Sequence, residues 1–208
     1  MIKLHHLNKS RSKRIIWLLE ELKQPYEIIG YQRNASNFLA PEELANIHRL
    51  GKAPVVEVDG LVLAESGAIT EYLIERYAPS TLAPSRDSIE FGQYLYWIHC
   101  SESSAILPPL IKVYMRAHGD QHESMARYAN SEEARILNHI EQELEGKSFL
   151  VADKLTGADI MMSFVIELLY QSGKLSDYPN ISSYYQRMLQ IPGFQKAKEA
   201  EKQHDATA

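Results

Sequence analysis

The sequence predicts an α/β N-terminal domain followed by an all-α C-terminal domain. Three observations carry that reading. Strand and helix signals alternate over residues 1–79, a Pro/Ser-rich break (PSTLAPSR) occupies residues 79–86, and only helical periodicity follows. The expected division is residues 1–79, a linker at residues 80–86 and a helical domain at residues 87–208.

The elements follow in order. Residues 2–7 form a short apolar-rich run that reads as a strand, and polar, turn-like residues 8–12 end it. Ile15, Ile16, Leu18, Leu19 and Leu22 then recur at helical spacing until Pro25 stops the helix. Residues 26–31 carry the aromatic and β-branched content of a second strand, and a short helix is expected after Pro41. Two apolar runs flank Asp59-Gly60, the strongest hairpin signal in the chain. Ser66 is placed as the N-cap of a helix carrying Ile69, Tyr72 and Leu73. The order β-α-β then β-β-α is the thioredoxin-like pattern, a parallel half and an antiparallel half on one sheet.

Beyond the break, residues 89–117 read as one long helix, bent near Pro108-Pro109 because an interior proline removes a backbone donor. Residues 123–145 form a second amphipathic helix closed by Gly146. Thr156 and Asp159 have the spacing of a capping box before Ile160, Met161, Phe164 and Val165, which marks a buried helix. Two shorter helices, near residues 181–189 and 194–202, complete the chain on either side of Pro192-Gly193.

Composition narrows the function. The chain has 208 residues, with 22 Lys and Arg against 27 Asp and Glu and a net charge of −5. That balance, without a basic block, argues against nucleic-acid binding. No apolar run approaches the roughly 20 residues that span a bilayer. The opening MIKLHHLNKSRSKR lacks a secretory apolar core, so no membrane association and a cytoplasmic location are expected. A single cysteine, Cys100, excludes an internal disulfide, a C-x-x-C pair and a multi-cysteine zinc site; it reads as a small core residue. His118 and His122 are spaced i, i+4 but have no evident third ligand, so no metal is expected. His5 and His6 lie in a strand, where one of the two should face inward. The Tyr94, Tyr96, Trp97 and Tyr114 group is shared between core and pocket wall.

Three segments could carry chemistry. Ser10 sits between a strand and a helix start, where backbone N–H groups favour an anion such as a thiolate. Lowering a thiol pKa by about two units corresponds to about 2.7 kcal/mol. In Leu50-Gly-Lys-Ala-Pro, a cis Ala53–Pro54 bond would turn the Ala53 backbone toward an extended peptide, and Lys52 could hold a carboxylate. Ser66 can offer a hydroxyl and a backbone N–H to a carboxylate, and Glu65 can accept from an ammonium group. Taken alone, each segment also reads as structural: a capping serine at Ser10 or Ser12, a proline opening a strand, a capping Ser66 beside a solvated glutamate. Together they match the groups of a γ-glutamyl tripeptide thiol.

The pieces SRSKRIIWLLEEL, GKAPVVEVDGLVLAESGAITEYL, the linker and LTGADIMMSFVI resemble the cytosolic glutathione S-transferase family over essentially the whole chain. The likeness is to serine-type members, bacterial/fungal-like or theta-like. It implies a homodimer that binds glutathione as co-substrate on the first domain and a small hydrophobic electrophile between the two. By the same resemblance Ser10 hydrogen-bonds the glutathione sulfur, and Arg11 contributes to the anion site. Lys52 contacts the glycyl carboxylate. Ala53, before Pro54, pairs with the cysteinyl backbone, and Glu65 and Ser66 grip the γ-glutamyl end. Glu102 lies where some relatives reach across the dimer to the partner's glutathione, with a solvated interface carboxylate as the other reading. No Tyr or Cys lies beside Ser10, which argues against tyrosine-type and thiol-transferase chemistry, and Ser12 competes with Ser10 for the sulfur role. The expected activity is conjugation of the glutathione thiolate to electrophiles, with reduction of organic hydroperoxides as a second outlet. The alternative is a family-like binding module without turnover.

Overall fold

A computed structural model describes residues 1–119 and 122–205. The chain divides into two compact units, Met1–Ala83 together with Leu189–Ala208, and Pro84–Met188.

The first unit runs β1 (Ile2–Leu7), α1 (Ser12–Leu22), β2 (Tyr26–Tyr31), α2 (Glu43–Ile47), β3 (Val55–Val58), β4 (Leu61–Ala64) and α3 (Ser66–Tyr77). The sheet order is β2-β1-β3-β4. β1 lies parallel to β2, and the β1–β3 and β3–β4 pairs are antiparallel. That is the thioredoxin-like arrangement. The Asp59-Gly60 turn closes the β3–β4 hairpin with both residues at positive φ, 49° and 81°, as a two-residue turn matched to strand twist requires. The Ala53–Pro54 peptide bond is cis and leads into β3.

In the second unit, α4 (Ile89–Glu102), α5 (Leu107–Ala117), α6 (Glu123–Glu143), α7 (Gly157–Gln171) and α8 (Pro179–Gln190) follow one another, with one 3-10 turn at Leu175–Asp177. Residues 89–117 are therefore two helices, where the sequence predicts one bent helix. The break at residues 103–106 precedes the prolines. Pro108 and Pro109 then fall in the first turn of α5, where a backbone N–H would have no intrahelical acceptor and its loss costs little. α7 is the buried helix of this unit and packs on α4. Its capping box is formed: Thr156 Oγ1 accepts from Ala158 N–H at 3.3 Å, and Asp159 Oδ2 accepts from Thr156 N–H at 2.8 Å.

The last helix is α9 (Pro192–Asp205). The sequence assigns residues 189–208 to the helical domain, but they group with the first unit. The physical reason lies in α1, which buries Ile15, Ile16, Trp17, Leu18, Leu19 and Leu22 and so needs cover on more than its sheet-facing side. α9 supplies it. Phe194 meets Trp17 edge-to-face at 4.7 Å, and Lys13–Glu201 and Lys196–Glu20 pair along the rim at 3.9 and 4.0 Å. Gly193 lies against the Glu21 carboxylate, which Trp17 Nε1 holds at 2.9 Å. Among the described residues no helix is long and apolar enough to cross a membrane.

Candidate functional site

Sheet register brings the three sequence segments to one end of the first unit. His5 is opposite Val55 on β3, and Val55 is opposite Ala64 on β4. The chain leaving β1 toward Ser10, the chain entering β3 through Lys52, Ala53 and Pro54, and the chain leaving β4 through Glu65 and Ser66 therefore lie at the same end. α1 and α3 both begin there, so their unpaired N–H groups and positive dipole ends add to it.

Ser10 and Ser12 are both buried, at 5% and 0% exposure. Their backbone is set by the β1–α1 turn, which Arg33 ties down. Arg33 N–H donates to Asn8 Oδ1 at 2.9 Å and its Nε to Asn8 O at 3.1 Å. The hydroxyls are differently committed. Ser12 Oγ accepts from Leu7 N–H at 3.2 Å and lies 2.7 Å from both Ser10 Oγ and His6 Nδ1, and 3.2 Å from Leu7 O. Four protein neighbours fill it. Ser10 Oγ accepts from Ser12 N–H at 3.2 Å and keeps a lone pair beyond its contact with Ser12. Neither serine is the α1 N-cap, which is the half-buried Arg11 in an αR conformation.

Lys52 is exposed beside half-buried Ala53 and buried Pro54. Glu65 takes the α3 N-cap place that sequence gives to Ser66, and it does so at φ 70°, ψ 116°. A non-glycine residue held there costs about 1–3 kcal/mol, the kind of strain that collects at binding sites. Ser66, buried at 2%, is the first residue of the helix, not its cap, and its hydroxyl faces the side chain of Arg14. Arg14 Nη1 donates to Ser66 Oγ at 3.3 Å from a position with 0% exposure. The serine proton is thereby left to serve an outer acceptor, with a buried positive charge behind it.

Arg14 is a residue of the candidate site that the sequence reading did not single out. The signal was its helical phase: Arg14 lies four and eight residues before Leu18 and Leu22, on the buried stripe. His6 and Asp205 were missed as well. His5 and His6 are both buried, at 1% and 0%, where the alternation of a strand predicts one inward residue. A central strand covered on both faces removes that distinction. His5 is held by Tyr31 Oη at 2.9 Å and Glu57 Oε1 at 2.8 Å. His6 Nε2 meets Asp205 Oδ1 of α9 at 3.3 Å, and burial lowers the His6 pKa against the opposing pull of that carboxylate.

Glu102 closes α4 in the second unit and is half-buried. Of the aromatic group there, Tyr94 and Trp97 are buried at 3% and 2%, while Tyr96 and Tyr114 are exposed. Cys100 is buried, and burial pushes its thiol pKa up, the opposite of an activated nucleophile. Among the described residues no group of three His, Cys, Asp or Glu side chains comes together to hold a metal ion.

The architecture defines a class: a thioredoxin-like domain followed in the chain by a helical one. The family model described as glutathione S-transferase, N-terminal domain, matches residues 1–75, and that for the C-terminal domain matches residues 103–192. Glutathione S-transferase 1 of Saccharomyces cerevisiae is 32% identical over 96% of this chain and 94% of its own. Glutathione S-transferase 3 of Schizosaccharomyces pombe is 34% identical over 100% of this chain and 90% of its own. A crystal structure of a glutathione S-transferase from Actinobacillus pleuropneumoniae superposes with a TM-score of 0.88 at 35% identity, covering 100% of this chain and 97% of the other. The chain belongs to the glutathione S-transferase family.

Proposed function

We propose that this chain is a glutathione transferase that joins the glutathione thiolate to small hydrophobic electrophiles, and that Ser10 is the residue facing the sulfur. The observation that carries the reading is the convergence of Ser10, Ala53 and Ser66 at one sheet end where two helices begin. Those positions supply a hydroxyl for a thiolate, a backbone strand end for a peptide and a positive corner for a carboxylate. Lys52 takes the glycyl carboxylate, Glu65 the ammonium group, and Ser66 backed by Arg14 the γ-glutamyl carboxylate. Arg11 adds charge near the sulfur, and Pro54 shapes the strand entrance. Glu102 is assigned to the partner subunit's glutathione in a homodimer, as in some relatives.

In the reaction Ser10 O–H donates to the thiolate, and the start of α1 lowers its pKa. The sulfur then forms a bond to an electrophilic carbon as the leaving group departs with its electron pair. With an organic hydroperoxide the sulfur attacks oxygen and the alcohol leaves, and a second glutathione completes the disulfide with release of water. Holding both reactants in place supplies much of the acceleration.

A hydrogen bond to a charged group contributes roughly 1.5–3 kcal/mol. Ser10→Ala is therefore expected to lower kcat with a model aryl halide by about tenfold or more, with a smaller change in KM for glutathione. Unchanged turnover in Ser10→Ala would move the role to Ser12 or Arg11. A wild-type chain that binds glutathione but turns over no electrophile would favour the non-catalytic reading.

A further inference from the structure

We propose that Ser10, Ser12, His6 and Asp205 form a proton relay that carries the thiol proton of bound glutathione inward to His6. The inference rests on the glutathione reading above and deepens it by naming where the proton goes. Its basis is a continuous chain of contacts. Ser10 Oγ lies 2.7 Å from Ser12 Oγ, Ser12 Oγ lies 2.7 Å from His6 Nδ1, and His6 Nε2 lies 3.3 Å from Asp205 Oδ1.

The direction of each bond follows from its neighbours. An ionised Asp205 can only accept, so His6 carries its proton on Nε2 and presents Nδ1 as an acceptor. Ser12 has one proton and three acceptors in reach, of which His6 Nδ1 and Ser10 Oγ at 2.7 Å are nearer than Leu7 O at 3.2 Å. With Leu7 N–H already donating to Ser12 Oγ, Ser12 gives its proton to His6 and accepts from Ser10. The outer lone pair of Ser10 is then an acceptor, which is what an arriving S–H needs.

The step balances as a concerted shift of three protons. The S–H bond breaks and its proton goes to Ser10 Oγ; the Ser10 proton goes to Ser12 Oγ; the Ser12 proton goes to His6 Nδ1. The products are a thiolate and an imidazolium, with no electron transferred to or from the protein. The hydrogen bonds between the sulfur, Ser10, Ser12 and His6 Nδ1 have reversed, while His6 Nε2–H still donates to Asp205. Ser10 O–H therefore now donates to the sulfur, as stabilisation of the thiolate requires. Asp205 stabilises the imidazolium. His6 and Asp205 touch no substrate atom and act as positioning residues through the two serines.

The surroundings of His6 suit that role. The charged groups facing it are Asp205 and His204 of α9 and Lys13 of α1, and Lys13 pairs with Glu201 at 3.9 Å. On β2 its register partner is Gly30, where an added Cβ would sit 3.3 Å from His204 Nδ1. The missing side chain lets the end of α9 reach the strand, and Gln32 Nε2 fixes it there by donating to His204 O at 2.8 Å. Burial keeps the free imidazole neutral, and the Asp205 carboxylate, whose hydrogen bond and charge pull the other way, is what favours the imidazolium once a proton arrives.

The test is imidazole nitrogen NMR on the wild-type chain near neutral pH, alone, with glutathione and with S-methylglutathione, alongside thiolate ultraviolet absorbance. The expected result is a neutral Nε2–H ring in the free chain, an imidazolium with glutathione, and a neutral ring with S-methylglutathione, which has no thiol proton to give. In Asp205→Asn the bound thiol pKa should rise by about one unit, while S-methylglutathione affinity stays within about twofold. A thiolate formed while His6 stays neutral, or an unchanged thiol pKa in Asp205→Asn, overturns the relay and leaves the glutathione reading standing. Failure of the wild-type chain to bind either compound overturns both.

Discussion

Two buried basic side chains, Arg14 and His6, lie behind the sheet end that holds Ser10 and Ser66. Neither is exposed, and each contacts a serine hydroxyl. For His6 the consequence reaches stability. Its pKa is lowered by burial from an ordinary value of 6.5, so the unfolded chain binds its proton more tightly than the folded one. Stability is therefore whole above the unfolded value and falls as pH drops from there through the folded value. The slope for one such group is at most about 1.4 kcal/mol per pH unit. Urea unfolding at pH values on either side of that window should show the loss, and His6→Asn should flatten it. An equal slope in both proteins would mean that other groups dominate. The serines, Lys52 and Glu65 were legible in the sequence because each sits in a contiguous motif at an element boundary. Asp205 was not, since it meets His6 across 199 positions and no local pattern encodes that meeting.

The α7 capping box shows how far local chemistry reaches at the level of the element. Its spacing was readable in the sequence because a cap is made by residues three apart. The structure adds partners from farther away. Asp159, with 0% exposure, accepts from Leu150 N–H at 3.0 Å and from Tyr184 O–H at 2.7 Å as well as from Thr156. It is thus a knot joining α7, α8 and the preceding loop. Asp159→Ala would leave several buried donors without an acceptor, each costing about 1–3 kcal/mol. A loss of at least about 3 kcal/mol is expected in chemical unfolding; a loss under about 1 kcal/mol would mean that water replaces the carboxylate. The α4–α5 break was less legible. Prolines announce a disturbance, but they do not say whether the chain bends at them or stops before them.

Across the whole molecule, the chain returns to its beginning. α9 closes the first unit over α1, so residues 1–83 alone would expose the Trp17 side of that helix. The apolar spacing of α9 was visible in the sequence, but periodicity states that a face is buried and not against what. Phe194→Ala removes an aromatic contact of a residue only 4% exposed. It should cost about 3–5 kcal/mol in unfolding measurements. The same change should also weaken glutathione binding, because α9 packs on α1, the helix that starts beside Ser10. A destabilised variant with intact binding would separate the packing of α9 from the site.

The central claim is that this sheet end turns a bound thiol into a thiolate. The most direct measurement is an ultraviolet difference titration of the wild-type chain with glutathione across pH. The account predicts a bound-thiol pKa at least about one unit below the free value, near 8.5 for a cysteine thiol. Glutathione bound with its thiol pKa unchanged would contradict it.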